Sequence, residues 1–200
     1  LKEASDAVNE KYTQLQSMYA ESEQAESSIL DANKQYMENA EKYKKEQDAL
    51  EQEIQELLQN EGSDEAYGDG QLKWPVPTRS YISSYFGWRT LYGRPNYHKG
   101  IDIPGSAGTN IVAADAGKVL KVSKLTYGYG CHVIIDHGNG VSTLYAHCSR
   151  LDVSVGDYVE KGQVVAGIGT TGNSTGNHVH FEVRINGVQQ NPLNYVKQPS

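Results

Sequence analysis

Residues 131–148 read CHVIIDHGNGVSTLYAHC: two runs rich in Val, Ile, Leu and Tyr on either side of Asn139-Gly140. An Asn-Gly pair takes the positive φ that a tight hairpin turn demands. Each flanking run has the length and composition of a strand, so 132–136 and 141–147 are predicted to pair as an antiparallel hairpin. Pairing advances residue by residue along such a ladder. If Cys131 lies opposite Cys148, then His132 lies opposite His147, and a one-residue slip undoes both pairings. That register predicts a Cys131–Cys148 disulfide.

Outward from the hairpin the pattern repeats. Short β-type runs at 110–114, 117–123, 163–168 and 180–185 are separated by turn residues at intervals of about ten, the signature of an all-β domain. Trp74-Pro75-Val76-Pro77 leads into it, and Ser84 to Arg89 forms a compact aromatic segment ending in a base. None of the 20 glycines precedes Gly62, and all 6 prolines lie at Pro75 or later. The expected organisation is a long helix over 1–60, an acidic linker over 61–70 (EGSDEAYGDG), and a β-rich domain over 71–200, large enough to bury its own core.

The helical part carries a seven-residue series, Leu1, Val8, Leu15, Ser22, Ile29, Tyr36, Tyr43, Leu50 and Leu57, in which only Ser22 is polar if Tyr is counted apolar. This is a coiled-coil seam. The second seam position drifts from Ala4, Met18, Ala25 and Ala32 at +3 to Ala40 and Ile54 at +4, as on a gently supercoiled helix. A continuous helix would be roughly 85 Å long at 1.5 Å per residue. It cannot bury its seam alone. A partner is therefore expected: another copy, a helix outside this chain, or a different, regulatory protein. Spacer and regulator are both open roles for it.

The chain has 25 acidic against 18 basic residues and a net charge of -7. No clustered basic footprint for nucleic acid exists. No apolar run of about 18 residues exists either, so no transmembrane segment is expected. Without an initiator Met or signal peptide, the chain is read as mature or truncated, its targeting segment missing, and its location must be argued from function.

All six histidines lie after residue 97. His137, in a polar turn, and His132 are read as structural. His178 and His180 alternate on a predicted strand, so both imidazoles point to one face. His98 and Asp102 bracket Gly100 in a segment read as a loop that turns at Pro104-Gly105, and the short reach lets both coordinate one ion. A catalytic zinc centre needs three protein ligands and an open position, and these residue types can supply them.

Four segments carry a resemblance: His98 to Asp102 (HKGID), Leu144 to His147 (LYAH), Gly156 to Gln163 (GDYVEKGQ) and Gly172 to Glu182 (GNSTGNHVHFE). Together they closely resemble the lysostaphin-type zinc endopeptidases of bacterial peptidoglycan. The match covers about 82–194. The resemblance implies antiparallel sheets with a groove, a Zn2+ ion held by His98, Asp102 and His180, and His147 and His178 as catalytic histidines. It also implies a peptidoglycan substrate and an extracytoplasmic location, either secreted or anchored through a segment outside this chain. One of the two histidines would take the proton of the attacking water while the other stabilises the oxyanion, their order open. Cys131, His132 and Cys148 depart from the family pattern. Tyr145 and Arg89 are candidates for shaping the groove, with packing roles equally open.

Two other classes compete. Long coiled coils joined to this domain also resemble non-enzymatic activators of cell-wall hydrolases, which typically lack the ligand set that is whole here. A lipoyl- or biotinyl-like carrier would need a modifiable Lys in a hairpin turn, and Gly138-Asn139-Gly140 offers none.

Overall fold

The structure is a computed structural model that describes residues 2–91 and 93–199. One α-helix, α1 (Lys2–Glu61), precedes twelve strands, and the chain divides into two units, Leu1–Glu46 and Gln47–Ser200. Of the seam residues, Leu1 and the side chain of Ala4 lie outside what is described. Val8, Leu15, Ile29, Tyr36 and Tyr43 are all exposed, whereas Leu50 and Ile54 are buried. The second unit therefore takes in residues 47–61, the last turns of the helix.

Twelve strands fill the second unit: β1 (Gly87–Leu91), β2 (Arg94–His98), β3 (Ile101–Pro104), β4 (Asn110–Val112), β5 (Gly117–Lys124), β6 (Cys131–Gly138), β7 (Val141–Ala146), β8 (Arg150–Leu151), β9 (Tyr158–Val159), β10 (Val164–Gly167), β11 (His178–Ile185) and β12 (Val188–Gln190). Seven of them form one antiparallel sheet in the order β12-β11-β7-β6-β5-β9, with β3 added beside β11. A three-stranded sheet, β4-β10-β8, and the β1-β2 hairpin complete the architecture. This is the all-β domain behind a long helix that the sequence predicts. Its extra strands are the short ones, plus the β1-β2 hairpin and β3, where the segment read as a loop is extended backbone on either side of Lys99-Gly100.

The large sheet buries both faces, and the period-2 alternation sorts its residues between them. Val133, Ile135, Tyr145, Val179, Phe181 and Val183 point into the main core, shared with Ile111, Val165 and Ala166 of the small sheet. Tyr145 is thus a core residue and not part of the groove; its hydroxyl accepts from Ala114 N at 2.8 Å and from Thr143 Oγ1 at 2.9 Å. On the opposite face Ile134, Leu144 and Ala146 meet Leu50 and Ile54 of α1 together with Tyr129, and Leu58 packs beside them. The stripe that docks is Leu50, Ile54, Leu58, an i, i+4 row, and not the heptad pair Leu50 and Leu57.

The 61–70 segment is fixed to the sheet by its backbone. Ser63 N donates to Asp136 Oδ2 at 2.8 Å, Tyr67 N to the His137 carbonyl at 3.0 Å, and Gly70 N to Asp115 Oδ2 at 2.9 Å.

The hairpin turns where predicted, with Gly138, Asn139 and Gly140 all at positive φ. Its register differs from the expected one. Val133 pairs with Tyr145 and Ile134 with Leu144, one residue away from the register that would set Cys131 against Cys148. Beyond Ala146 the ladder breaks, because His147 adopts φ 61°. Cys148 N then donates to the Cys131 carbonyl at 2.9 Å, and both thiols are free. The predicted disulfide is absent. His137 has the structural role read for it: it is buried, its ring bonded to the Ala116 carbonyl and Thr143 Oγ1, each at 2.8 Å. His132 is fully buried against Tyr129.

Candidate metal centre

β11 positions the site. His180 pairs with Asp102 of β3 on one side and with Ala146 of β7 on the other, and directly opposed residues present their side chains to the same face. His98, at the end of β2, completes the group. Gly100 allows this approach: a Cβ there would lie 2.3 Å from the Phe181 carbonyl oxygen and 3.0 Å from His180 Cε1.

His98 Nε2, Asp102 Oδ1 and His180 Nδ1 form a triangle with sides of 3.0, 3.0 and 2.9 Å. The outer hydrogen bonds decide what these atoms are. His98 Nδ1 lies 2.9 Å from the Tyr85 carbonyl, which can only accept, so Nδ1 carries the proton and Nε2 is a bare lone pair. His180 Nε2 lies 3.1 Å from the Glu182 carboxylate, which in the neutral ring likewise leaves Nδ1 bare. Asp102 Oδ1 is itself an acceptor, so when both imidazoles are neutral three lone pairs converge with no proton to share. Such a triangle calls for a cation at its centre. The sides approach the separation of about 3.3 Å expected for donors on a tetrahedral zinc with bonds of about 2.0 Å. These three residues are the one group able to hold a metal ion among the described residues.

The electrostatics agree. Burial alone would raise the Asp102 carboxyl, yet the His180 and His98 imidazoles that face it hold it far below the usual range. Burial alone would lower His180; the Asp102 and Glu182 carboxylates outweigh it and raise the imidazole to about 9. Without another cation a proton takes this place, and the triangle is built for positive charge. Arg89 Nη1 reaches Asp102 Oδ2 at 3.4 Å and also bonds Ser84 Oγ, so the outer carboxylate oxygen is engaged while Oδ1 faces the histidines.

His147 and His178 stand beside this triangle with ring centroids 4.8 Å apart. His147 Nδ1 donates to the Thr171 carbonyl at 2.7 Å and His178 Nδ1 to the Gly176 carbonyl at 2.8 Å, so both present a bare Nε2. His178 Nε2 is 3.7 Å from Asp102 Oδ1. Burial first, then the neighbouring His180 and His178, lower His147 to about 3 and keep it neutral. All five residues line one groove of about 530 Å³, whose rim also carries Arg89, Asn96, Ser174 and Gln47.

Behind the ligands runs a row that the sequence reading did not assign. Glu182 and Arg184 follow His180 on the same face of β11, and both are fully buried. Burial would raise Glu182, but Arg184 and His180 hold it near 2. The alternation His178-x-His180-x-Glu182-x-Arg184 was a usable signal for this row. Glu51, which binds Arg184 from 133 positions away, carried none.

The pattern of peptidase family M23 matches residues 96–192. The DD-carboxypeptidase/endopeptidase Mpg of Neisseria meningitidis is 44% identical over 114 residues, 56% of this chain and 26% of that protein. The murein hydrolase activator NlpD of Escherichia coli is 36% identical over 125 residues, 62% of this chain and 31% of that protein. The chain thus spans about a quarter to a third of the relatives it matches. The catalytic domain of the antimicrobial peptidase lysostaphin from Staphylococcus simulans superposes with a TM-score of 0.53 at 29% identity, covering 58% of this chain and 91% of that one. With the fold, the motifs and the pattern match in agreement, the chain belongs to peptidase family M23.

Proposed function

We propose that the chain is a zinc-dependent endopeptidase that hydrolyses peptide bonds in the cross-links or stem peptides of bacterial peptidoglycan. Residues 71–200 are its peptidase domain, α1 positions or regulates that domain, and the protein works outside the cytoplasm. The observation that carries this reading is the convergence of three metal-ligand atoms, His98 Nε2, Asp102 Oδ1 and His180 Nδ1, beside two further histidines whose Nε2 atoms face the groove. Zinc, when bound, supplies a Lewis acid and lowers the pKa of water toward about 7.

The chain's own residues do the rest. His147 is neutral and held by Thr171, so its Nε2 can accept a proton from water and return it to the leaving amine. His178, fixed by Gly176 and placed near Asp102, completes the pair; in its protonated form it donates to oxygen as charge develops there. The roles of the two can be exchanged without altering the geometry. The test is mass analysis of fragments released from purified peptidoglycan of known cross-link, with and without chelator. Chelator-sensitive release of peptides cut within the cross-link or stem is the expected result; no release from any cross-link type would sink the proposal.

Similarity to NlpD supports a second reading, an activator of other wall hydrolases. It predicts no cleavage by the isolated protein and stimulation of an added murein hydrolase, with zinc-free protein stimulating equally well.

A further inference from the structure

The row of charges behind the site leads to the helix. Glu182 Oε1 accepts from Tyr129 Oη at 2.6 Å and holds His180 Nε2. Its other oxygen accepts from Arg184 Nε at 2.8 Å. Arg184 turns its far side to Glu51 of α1, donating at 2.7 and 3.2 Å to the two carboxylate oxygens. Glu51 also accepts from Gln189 Nε2 at 2.6 Å and from Lys99 Nζ at 3.0 Å. Lys99 adjoins His98 in sequence, so one carboxylate ties together the segments that carry two of the three metal-ligand candidates.

We propose that Glu51 is a positioning residue for the metal centre, acting on His180 through Arg184 and Glu182 and on the His98 segment through Lys99, so that the docked end of α1 completes the site. This rests on the zinc reading above. The physical reason is charge partition. With Glu51 in place, two cations, Arg184 and Lys99, are shared between two carboxylates. Without it Arg184 faces Glu182 alone and Lys99 loses its carboxylate. Arg184 then draws Glu182 away from His180 Nε2–H, and uncompensated positive charge lies close to a site that must bind a cation. Residues that orient a ligating histidine in this manner typically change metal affinity by about 10–100-fold, and Glu51 stands one step further out.

Glu53 supplies a matched control. It also joins the helix to the sheet, through Lys121, but no hydrogen bond links that pair to the ligands among the described residues. The experiment measures zinc affinity by chelator competition at fixed pH on the full chain, as wild type, Glu51→Gln, Glu51→Ala and Glu53→Gln, with thermal melting to establish folding. The expected result is stoichiometric zinc in wild type, about three- to tenfold weaker zinc in Glu51→Gln, and less than a twofold change in Glu53→Gln. Should Glu51→Ala fail to fold, the near-isosteric Glu51→Gln carries the test. Equal affinity in Glu51→Gln and wild type overturns the positioning role while leaving the zinc reading intact. Equal weakening in both Gln variants overturns it too, since docking alone would then account for the effect. No zinc uptake by wild type refutes the zinc reading and this inference with it.

Discussion

A methyl group at position 100 would test how tightly the site is assembled. The Gly100→Ala Cβ would meet the Phe181 carbonyl and the His180 ring, so a cost of about 1–3 kcal/mol and weakened metal binding are expected, measured by denaturant unfolding and chelator competition. The ligands and the proton carriers are expected to separate on mutation. His98→Ala or His180→Ala loses metal and turnover together, while His147→Ala keeps metal and loses turnover; near-normal cleavage by His147→Ala would refute that division. At residue scale the site was legible where chemistry follows the period of a strand, as at His178 and His180, or lies within one short segment, as at His98 and Asp102. The cysteine pairing was not, because a bulge between Asp136 and Gly138 shifts the hairpin register by one residue and no local composition announces it. Burial raises the Cys148 thiol to about 12, so native alkylation near pH 8 is expected to label Cys131 and spare Cys148, and denatured protein to show two alkylated thiols.

Among the elements, α1 shows how a uniform sequence pattern conceals a change of environment. Absence of Gly and Pro made the helix legible from end to end, yet the heptad series predicts the same seam throughout. Tertiary contacts select otherwise: Leu50 and Ile54 are buried on the sheet while Val8, Leu15 and Ile29 are exposed. Ile54→Ala is expected to cost about 2–4 kcal/mol in denaturant unfolding, and Ile29→Ala close to nothing in the monomer. The β1-β2 hairpin escaped the sequence reading because its strand pattern is broken by Gly93 and Pro95. Its inner face nevertheless supplies Arg89 and Asn96 to the groove.

For the whole molecule, acid is the expected weakness. Burial holds His132 and His137 below their ordinary value of 6.5 in the folded state. The unfolded chain therefore takes up these protons first. Their contribution to stability is complete above pH 6.5 and declines as the pH falls below it. Urea midpoints at pH 7.5 and 5.5 should show this loss, with a shallower dependence in His137→Gln. The fold class was legible because turn residues at regular spacing impose short strands. The layer formed by residues 47–61 was not, because a carboxylate on a polar helix reads as solvated until the buried arginine it meets is known.

That layer gives one uninterrupted helix two rates of drift. Positions 50, 51, 54 and 58 answer to the interior of the second unit and to its metal chemistry, so a saturation library selected for folded, zinc-loaded protein should tolerate little there. Positions 8, 15, 29 and 36 should accept nearly anything that keeps the helix. A substitution profile along α1 would then step down near Gln47, marking in mutational tolerance a border that no glycine, proline or change of secondary structure records.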